Sequence, residues 1–471
     1  MTSYQLLSAV LAAVVIGLLW ANYRRWISFT CVGVFTMFFL LMNYTGVMLT
    51  IWGYEWQTIF RMPDLTPYMS DAQLCEAVLI VNVGVLAVWA GILSFERLYG
   101  APRLCGNRCV MNIDSETPIG MKPWVLLLLG VLFSIAFWLA FRRLAGGFFS
   151  VAGVASAAEQ WEYRMDATRD RTHYLVMMIG YNVLPYLAMC GLVLFWKTRQ
   201  FIYLALVPLA LLGKFVFLHK EPLVVFLLHA GIVWTILQAS VSHSGKKFPW
   251  LKIAAVCVLV FAVLPFLYVF LRDYDLTAET LYHQSIGSLE RIVGRMSNTY
   301  FFFAYFIPER YDFHGLGFVR TISDFVGLSH VAINKEIFYD LQGGNIDYGS
   351  IASDNLVNLY GGFGFTGLAI GGFLQGVLLA AVDRWFSRVR TTLGWFVLYS
   401  FLVIILGITL NQAHIFGVML GYGGIPFMVL ALLINVRQAE SRATAAVERP
   451  AGGRDRPPAA AIATPTRGTS T

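Results

Sequence analysis

The chain has 471 residues, 58% of them hydrophobic and only 13% charged, with a formal charge of +7 at neutral pH. A soluble domain carries about 25% charged residues, so a soluble enzyme is excluded. Nucleic-acid binding is excluded too, because Lys and Arg gather in the cytoplasmic loops of membrane proteins and no basic stripe with interleaved aromatics stands apart from that plan.

The apolar runs are long enough to cross about 30 Å of hydrocarbon, which takes about 20 helical residues. The first, Tyr4 to Trp20, lacks a basic leader and is followed at once by Arg24 and Arg25. A signal peptide has the opposite polarity, so this run reads as a retained helix with its N-terminus outside. Further spans are expected at Ser28–Trp52, Cys75–Phe95, Trp124–Phe141, Tyr174–Trp196, Phe201–Leu218 and Pro222–Ser240. Then come Leu251–Leu271, Asn355–Val382, Trp395–Gln412 and Ile415–Val436. The expectation is an all-α polytopic membrane protein of about eleven spans with a large outer loop.

Every segment that this plan puts in the cytoplasm is basic: Arg24/Arg25, Arg97/Arg103/Arg108, Lys197/Arg199, Lys246/Lys247 and Arg384/Arg388/Arg390. Residues 1–436 form one membrane domain, and 437–471, rich in Ala, Pro, Arg and Thr, read as a disordered cytoplasmic tail. Two outer loops, about 142–173 and 272–354, are also basic and so oppose the topology signal. Binding an anion on the outer face is the simplest reason for their arginines. Cys105 and Cys109 form a lone C-x3-C in an inner loop, where thiols stay reduced, and read as structural.

Several residues carry candidate chemistry. Lys214 falls inside the sixth span, and a charge within the membrane is a functional candidate by default; the bland reading is an ammonium that snorkels to the interface. His219-Lys220-Glu221-Pro222 makes a turn into the seventh span, with proline suited to the first helical position. Apolar residues at Ile286, Leu289, Ile292, Val293 and Met296 predict a helix over 280–296 with one apolar face. Arg291 and Arg295 are four apart and so neighbours on another strip of that helix. Two guanidiniums so placed can fork onto phosphate oxygens. Tyr300–Ile307 is too short to span and either lies in the interface or dips back into the protein. Glu309, Asp312, His314, Asp340, Asp347 and Asp354 are all open as a general base. Asp273-Tyr274-Asp275 is a weak D-x-D, and no Walker A loop, HExxH or GxSxG is present. The run Gly361-Gly362-Phe363-Gly364-Phe365-Thr366-Gly367 suits close helix packing.

Three pieces of the chain resemble the bacterial oligosaccharide repeat-unit polymerases, the O-antigen polymerase family. One is the outer loop that opens with Gly146-Gly147 and carries Arg164. Another is Arg291-Ile292-Val293-Gly294-Arg295, followed by aromatics, Pro308 and Gly315-Leu316-Gly317. The third is Asn358 to Gly367, similar to the family's late helix start. The turn His219-Lys220-Glu221 departs from the family, where an arginine follows Gly-Ser; Lys220 stands as its substitute without a bidentate fork.

The resemblance implies an inner-membrane enzyme, N-terminus periplasmic and C-terminus cytoplasmic, that transfers glycan from undecaprenyl pyrophosphate at the outer face. It implies arginines, with no metal and no cofactor, to stabilise the leaving pyrophosphate. Arg295, Arg291 and His314 are then the catalytic candidates, and Arg164, Lys214, Lys220, Arg291 and Arg295 the pyrophosphate ligands. The expected partners are the lipid-linked oligosaccharide, membrane lipids, a flippase and a chain-length regulator, with no nucleic acid. A ligase of finished glycan and a transporter of lipid-linked sugars are the alternative readings.

Overall fold

The computed structural model describes residues 2–54, 56, 65–104, 109–111, 113–145, 176, 178–215, 220–241, 251, 255, 258–259, 277–294, 296–307, 309–311, 333–341, 351–389, 391–421, 424–425, 427–432 and 435. Among these the architecture is helical and no strand forms beyond a single Phe29–Cys109 bridge. The main helices are α1 (Ser3–Ala21), α2 (Cys31–Ile51), α3 (Asp71–Tyr99), α4 (Pro123–Ala145) and α5 (Met178–Thr198). They continue with α6 (Leu206–Phe215), α7 (Lys220–Val241), α8 (Ala278–Gly294), α9 (Ser297–Phe306) and α10 (Ile333–Leu341). The long α11 (Asn355–Phe386) and α12 (Leu393–Gly407) follow. Seven helices among the described residues are long and apolar enough to cross a membrane, and two shorter apolar helices, Phe201–Leu211 and Val225–Gln238, accompany them. The protein is therefore an all-α membrane-type fold. Of the expected spans, Leu251–Leu271 falls largely outside the described residues.

Local sequence explains the helix starts. Ser70 caps α3, accepting from the Gln73 amide at 3.3 Å while the Gln73 side chain accepts from the Ser70 amide at 2.9 Å. Thr30 caps α2 through the Gly33 amide at 2.9 Å. The first two N–H groups of α2 find a less local acceptor. Asp383, buried near the end of α11, accepts from Cys31 N at 2.8 Å and Val32 N at 3.2 Å, and also from the Tyr399 hydroxyl at 2.8 Å.

The helices have two recognisable ends. At one, Arg25 pairs with Glu96, Lys197 donates to the Ser115 carbonyl, and Arg384 Nη1 donates to the Ala101 carbonyl at 3.2 Å. The segment joining α3 to α4 is packed there, with Leu393 N on the Pro118 carbonyl at 2.9 Å and Cys109, Val110 and Met111 buried. At the other end, Ser3 Oγ meets Asp71 Oδ2 at 3.4 Å, Gln5 Nε2 meets the Ile51 carbonyl at 3.5 Å, and the Tyr54 hydroxyl meets Glu290 Oε1 at 3.2 Å. Arg25, Lys197 and Arg384, from segments read as cytoplasmic, thus gather at one end, with the N-terminus at the other.

The helix α11 departs from the straight span expected over Asn355–Val382. Gly364 has φ 64° and ψ −159°, outside helical space, and the chain reverses there. Asn355 Nδ2 donates to Gln375 Oε1 at 2.6 Å, although twenty residues of continuous helix would separate them by about 30 Å. Residues 355–363 form a short re-entrant arm laid against 365–386. The returning arm alone is about 33 Å long, enough to cross the hydrocarbon. It runs beside α3 at backbone contact: a Cβ on Gly91 would strike the Phe373 carbonyl, and one on Gly376 the Val88 carbonyl.

The helix α9 is the second buried short element. Tyr300, Phe301, Phe303 and Ala304 are all buried, and α9 packs against α3, the outer part of α2 and α11. Of the two sequence alternatives, Tyr300–Ile307 therefore enters the protein and does not lie on its surface. The helix expected over 280–296 is present as α8, but its buried strip differs. Glu290 is buried and Leu289 is 56% exposed. The physical reason is that Glu290 accepts from Tyr54 and Gly294 lies against the Trp56 ring, so close approach of small residues sets the helix phase.

Candidate functional site

Chain irregularities converge at one place. In α2 the helix widens to a π turn over Leu40–Tyr44, a feature often found at functional sites. Asn43 in that turn sits about 18 Å along α2 from Cys31, between its two ends. The re-entrant arm of α11 begins there, at Asp354. Beyond α12 the chain passes through a 3-10 turn at Thr409–Asn411 and resumes helix at Ile415, whose N–H donates to Asn355 Oδ1 at 2.9 Å. Irregular backbone within a membrane domain is tolerated only where it is buried in protein or lines a cavity.

Asp354 is the centre of the cluster. As the N-cap of α11 it accepts from Val357 N at 2.8 Å through Oδ1. Its Oδ2 accepts from Asn43 Nδ2 at 2.7 Å and from the Tyr300 hydroxyl at 2.5 Å. Asp354, Asn43 and Tyr300 are sealed from solvent, with exposures of 1%, 0% and 0%. Among the described residues no Lys, Arg or His pairs with this carboxylate. Asn43 Oδ1 and Gln375 Nε2 are buried with no hydrogen-bond partner among the described residues. Sequence reasoning named Asp354 as one acid of six and missed Asn43, Tyr300 and Gln375. A polar Asn or Gln inside an apolar run was the available signal.

The other acids of the outer segment separate by surroundings. Asp340 pairs with Arg310 at 2.9 Å and accepts the Tyr311 hydroxyl. Burial, and then that carboxylate, push the Tyr311 hydroxyl up from its ordinary value. Glu309 lies within electrostatic reach of Glu76, which accepts from the Tyr360 hydroxyl near the tip of the α11 hairpin. Asp312, His314 and Asp347 lie outside the described residues, as do Asp273, Asp275, Arg164 and Arg295.

Lys214 is buried at 5% exposure, so it does not snorkel to the surface. Its Nζ donates to the Tyr181 carbonyl at 3.2 Å, inside a second π turn over Met178–Val183, and stands 4.4 Å from the Tyr181 ring centroid. His229 is its electrostatic neighbour and shares a hydrogen bond with Ser400 Oγ at 3.1 Å. Lys220 is the first residue of α7 and Arg291 lies in the last turn of α8; only their backbones are described. Lys214 thus sits with Tyr181 and His229, whereas Asp354 sits with Asn43, Tyr300 and Val357, and the two groups share no partner among the described residues. No group of three or more His, Cys, Asp or Glu able to hold a metal occurs among the described residues.

The end of α8 leads directly to the Asp354 cluster. Gly46 of α2 lies against Val293 and Ser297, and one turn further along α9 Tyr300 reaches Asp354. The helix that carries Arg291 in its last turn thus ends close in sequence to α9, whose Tyr300 bonds the buried carboxylate. Comparison with known proteins found no matching family model, no similar curated protein and no similar solved structure.

Proposed function

We propose that the protein polymerises lipid-linked oligosaccharide repeat units at the outer face of the bacterial inner membrane, as a metal-independent glycosyltransferase. The lipid pyrophosphate leaves as the new glycosidic bond forms, and arginines stabilise its developing charge. Such preorganised electrostatic stabilisation is often the largest catalytic term, and more so near a low-dielectric boundary. One observation carries the reading. The helix with Arg291 sits at the end of the bundle opposite Arg25, Lys197 and Arg384, beside Tyr54 and Trp56. A helix with Arg291 in its last turn at that end suits an outer-face anion better than it suits the topology signal.

A transporter of lipid-linked sugars is the second reading, favoured by the re-entrant arm and the polar cluster between the bundle's ends. Discontinuous helices with polar sites near the midplane are frequent in transporters. Deleting the gene and resolving the surface polysaccharide on a gel separates the readings. Loss of a polymerase leaves a single repeat unit, loss of a ligase leaves chains unattached, and loss of a transporter removes both.

A further inference from the structure

The helix α8 turns its apolar stripe outward. Tyr282, Ile286, Leu289 and Val293 recur at helical spacing and share one face. Tyr282 is 60% and Leu289 56% exposed, and Ile286 and Val293 are partly exposed. The inward side carries Gly287, Glu290 and Gly294 instead. A helix of a soluble bundle would bury the first set and expose the second.

Two contacts fix where the outward face lies. The Val293 carbonyl and Ser297 stand against Gly46 of α2. Leu49, one turn beyond Gly46, is exposed, as is Leu41, on a helix long and apolar enough to cross a membrane. The α8 stripe thus continues the lipid-facing surface of α2. The second contact sets the height. Glu290 accepts from Tyr54, and Tyr54 and Trp52 are both exposed just past the end of α2. Aromatics so placed sit at headgroup level. With Glu279, His283, Glu290 and Arg291 in 17 residues, α8 is too polar to span. One apolar stripe beside polar flanks is the pattern of a helix held at the membrane interface.

We propose that α8 binds the membrane leaflet at the end of the bundle opposite Arg25, Lys197 and Arg384, with Tyr282, Ile286, Leu289 and Val293 against lipid. Four partly exposed side chains fall well short of the roughly 800 Å² per partner that a stable protein interface buries, so a second copy of the chain fits the stripe less well. Position 291 falls about 170° around the helix from the stripe's midline. Lipid contact therefore keeps that position off the acyl chains while holding it near the headgroups. In the polymerase reading this is the height of a lipid pyrophosphate, but the lipid contact itself does not rest on that reading.

The test uses the full-length protein in lipid nanodiscs, with an environment-sensitive fluorescent amino acid introduced at one position at a time. Tyr282 and Leu289 are the positions on the stripe. His283, with 58% of its side chain exposed, lies off it and serves as the comparison. Nitroxide-labelled phosphatidylcholine reports contact with lipid, and iodide reports contact with water. The probe at 282 and at 289 should lose emission to the nitroxide lipid and be protected from iodide, with the reverse at 283. Position 286 replaces either stripe site if a labelled protein does not fold. Equal lipid quenching at 282, 289 and 283 overturns the proposal, as does stronger iodide quenching on the stripe. Protection of the stripe from both quenchers also overturns it, because a second copy or another segment of the chain would then cover these residues.

Discussion

Asn355 and Gln375 lie twenty residues apart on the two arms of α11, and their side chains hydrogen-bond at 2.6 Å. The bond requires the chain to double back at Gly364. In a straight helix the two would be separated by about 30 Å. Paired substitutions Asn355→Cys and Gln375→Cys should therefore cross-link under a short bifunctional thiol reagent in membranes. Failure of that pair to react, with each single thiol accessible in denaturant, would leave α11 straight.

Gly364 itself should tolerate no side chain. Its φ of 64° with ψ of −159° belongs to a region that is essentially glycine-only, and forcing another residue there costs about 1–3 kcal/mol. Gly364→Ala should lower Tm by that amount of stability. An equivalent change at Gly17, where an added Cβ meets nothing within 4 Å, should be close to neutral.

Tyr300→Phe removes one donor from Asp354 and leaves the ring in place. A hydrogen bond to a charged group contributes about 1.5–3 kcal/mol. The variant should lose stability in that range, measured by thermal unfolding, whereas Tyr305→Phe should not. Equal losses at both positions would mean that ring packing, and not the bond to Asp354, is what Tyr300 contributes.

Reporter fusions after Arg25, Arg108, Lys247 and Arg390 should report cytoplasm, and fusions near Asp64, Ala158 and Ser329 periplasm. The motive is the gathering of Arg25, Lys197 and Arg384 at one end of the helices. A C-terminal tail found outside would reverse the side on which every candidate residue works.

Arg295→Ala should shorten surface glycan more than any other single change, with Arg295→Lys between it and the wild type. Loss of one donor from a preorganised site costs about 2.7–4 kcal/mol, or about 100- to 1000-fold in rate, and lysine keeps the charge without the fork. Glycan length is compared at equal expression, and transfer by purified protein should survive EDTA. Full-length chains from Arg295→Ala, with Arg164→Ala or Lys220→Ala defective, would move the pyrophosphate clamp to the earlier segments.

Much of the architecture was legible because an apolar run of about 20 residues has few alternatives in water or lipid. The reversal in α11 was hidden because hydropathy sums over residues and does not register direction. Two signals were present nevertheless. Asn355–Val382 is 28 residues, about 42 Å of helix, too long for about 30 Å of hydrocarbon. Asp354, a strong N-cap residue, also stands immediately before it. The phase of α8 was misjudged at Leu289 because periodicity assumed that apolar side chains choose the buried face. In the structure Gly294 and Glu290 choose it, through close approach to Trp56 and a bond to Tyr54. The cluster around Asp354 draws residues from three distant segments, and no spacing rule links Asn43, Tyr300 and Asp354 before the chain is folded.

The seam between α3 and the returning arm of α11 also has a meaning for biogenesis. Gly91 and Gly376 place two backbones in contact although synthesis separates them by 285 residues. At about 5–20 residues per second, the partner arrives roughly 15–60 s after α3 has left the ribosome. Through that interval the glycine face of α3 is open to lipid, which tolerates it because small residues leave no unmet polar group. The re-entrant arm has no such freedom. Asp354 and Asn355 cannot wait in hydrocarbon, so the arm docks only once α2, α3 and α9 stand ready to receive it. The Asp354 cluster thus closes only after α2, α3 and α9 are in place, and a translation pause ahead of residue 355 would favour assembly.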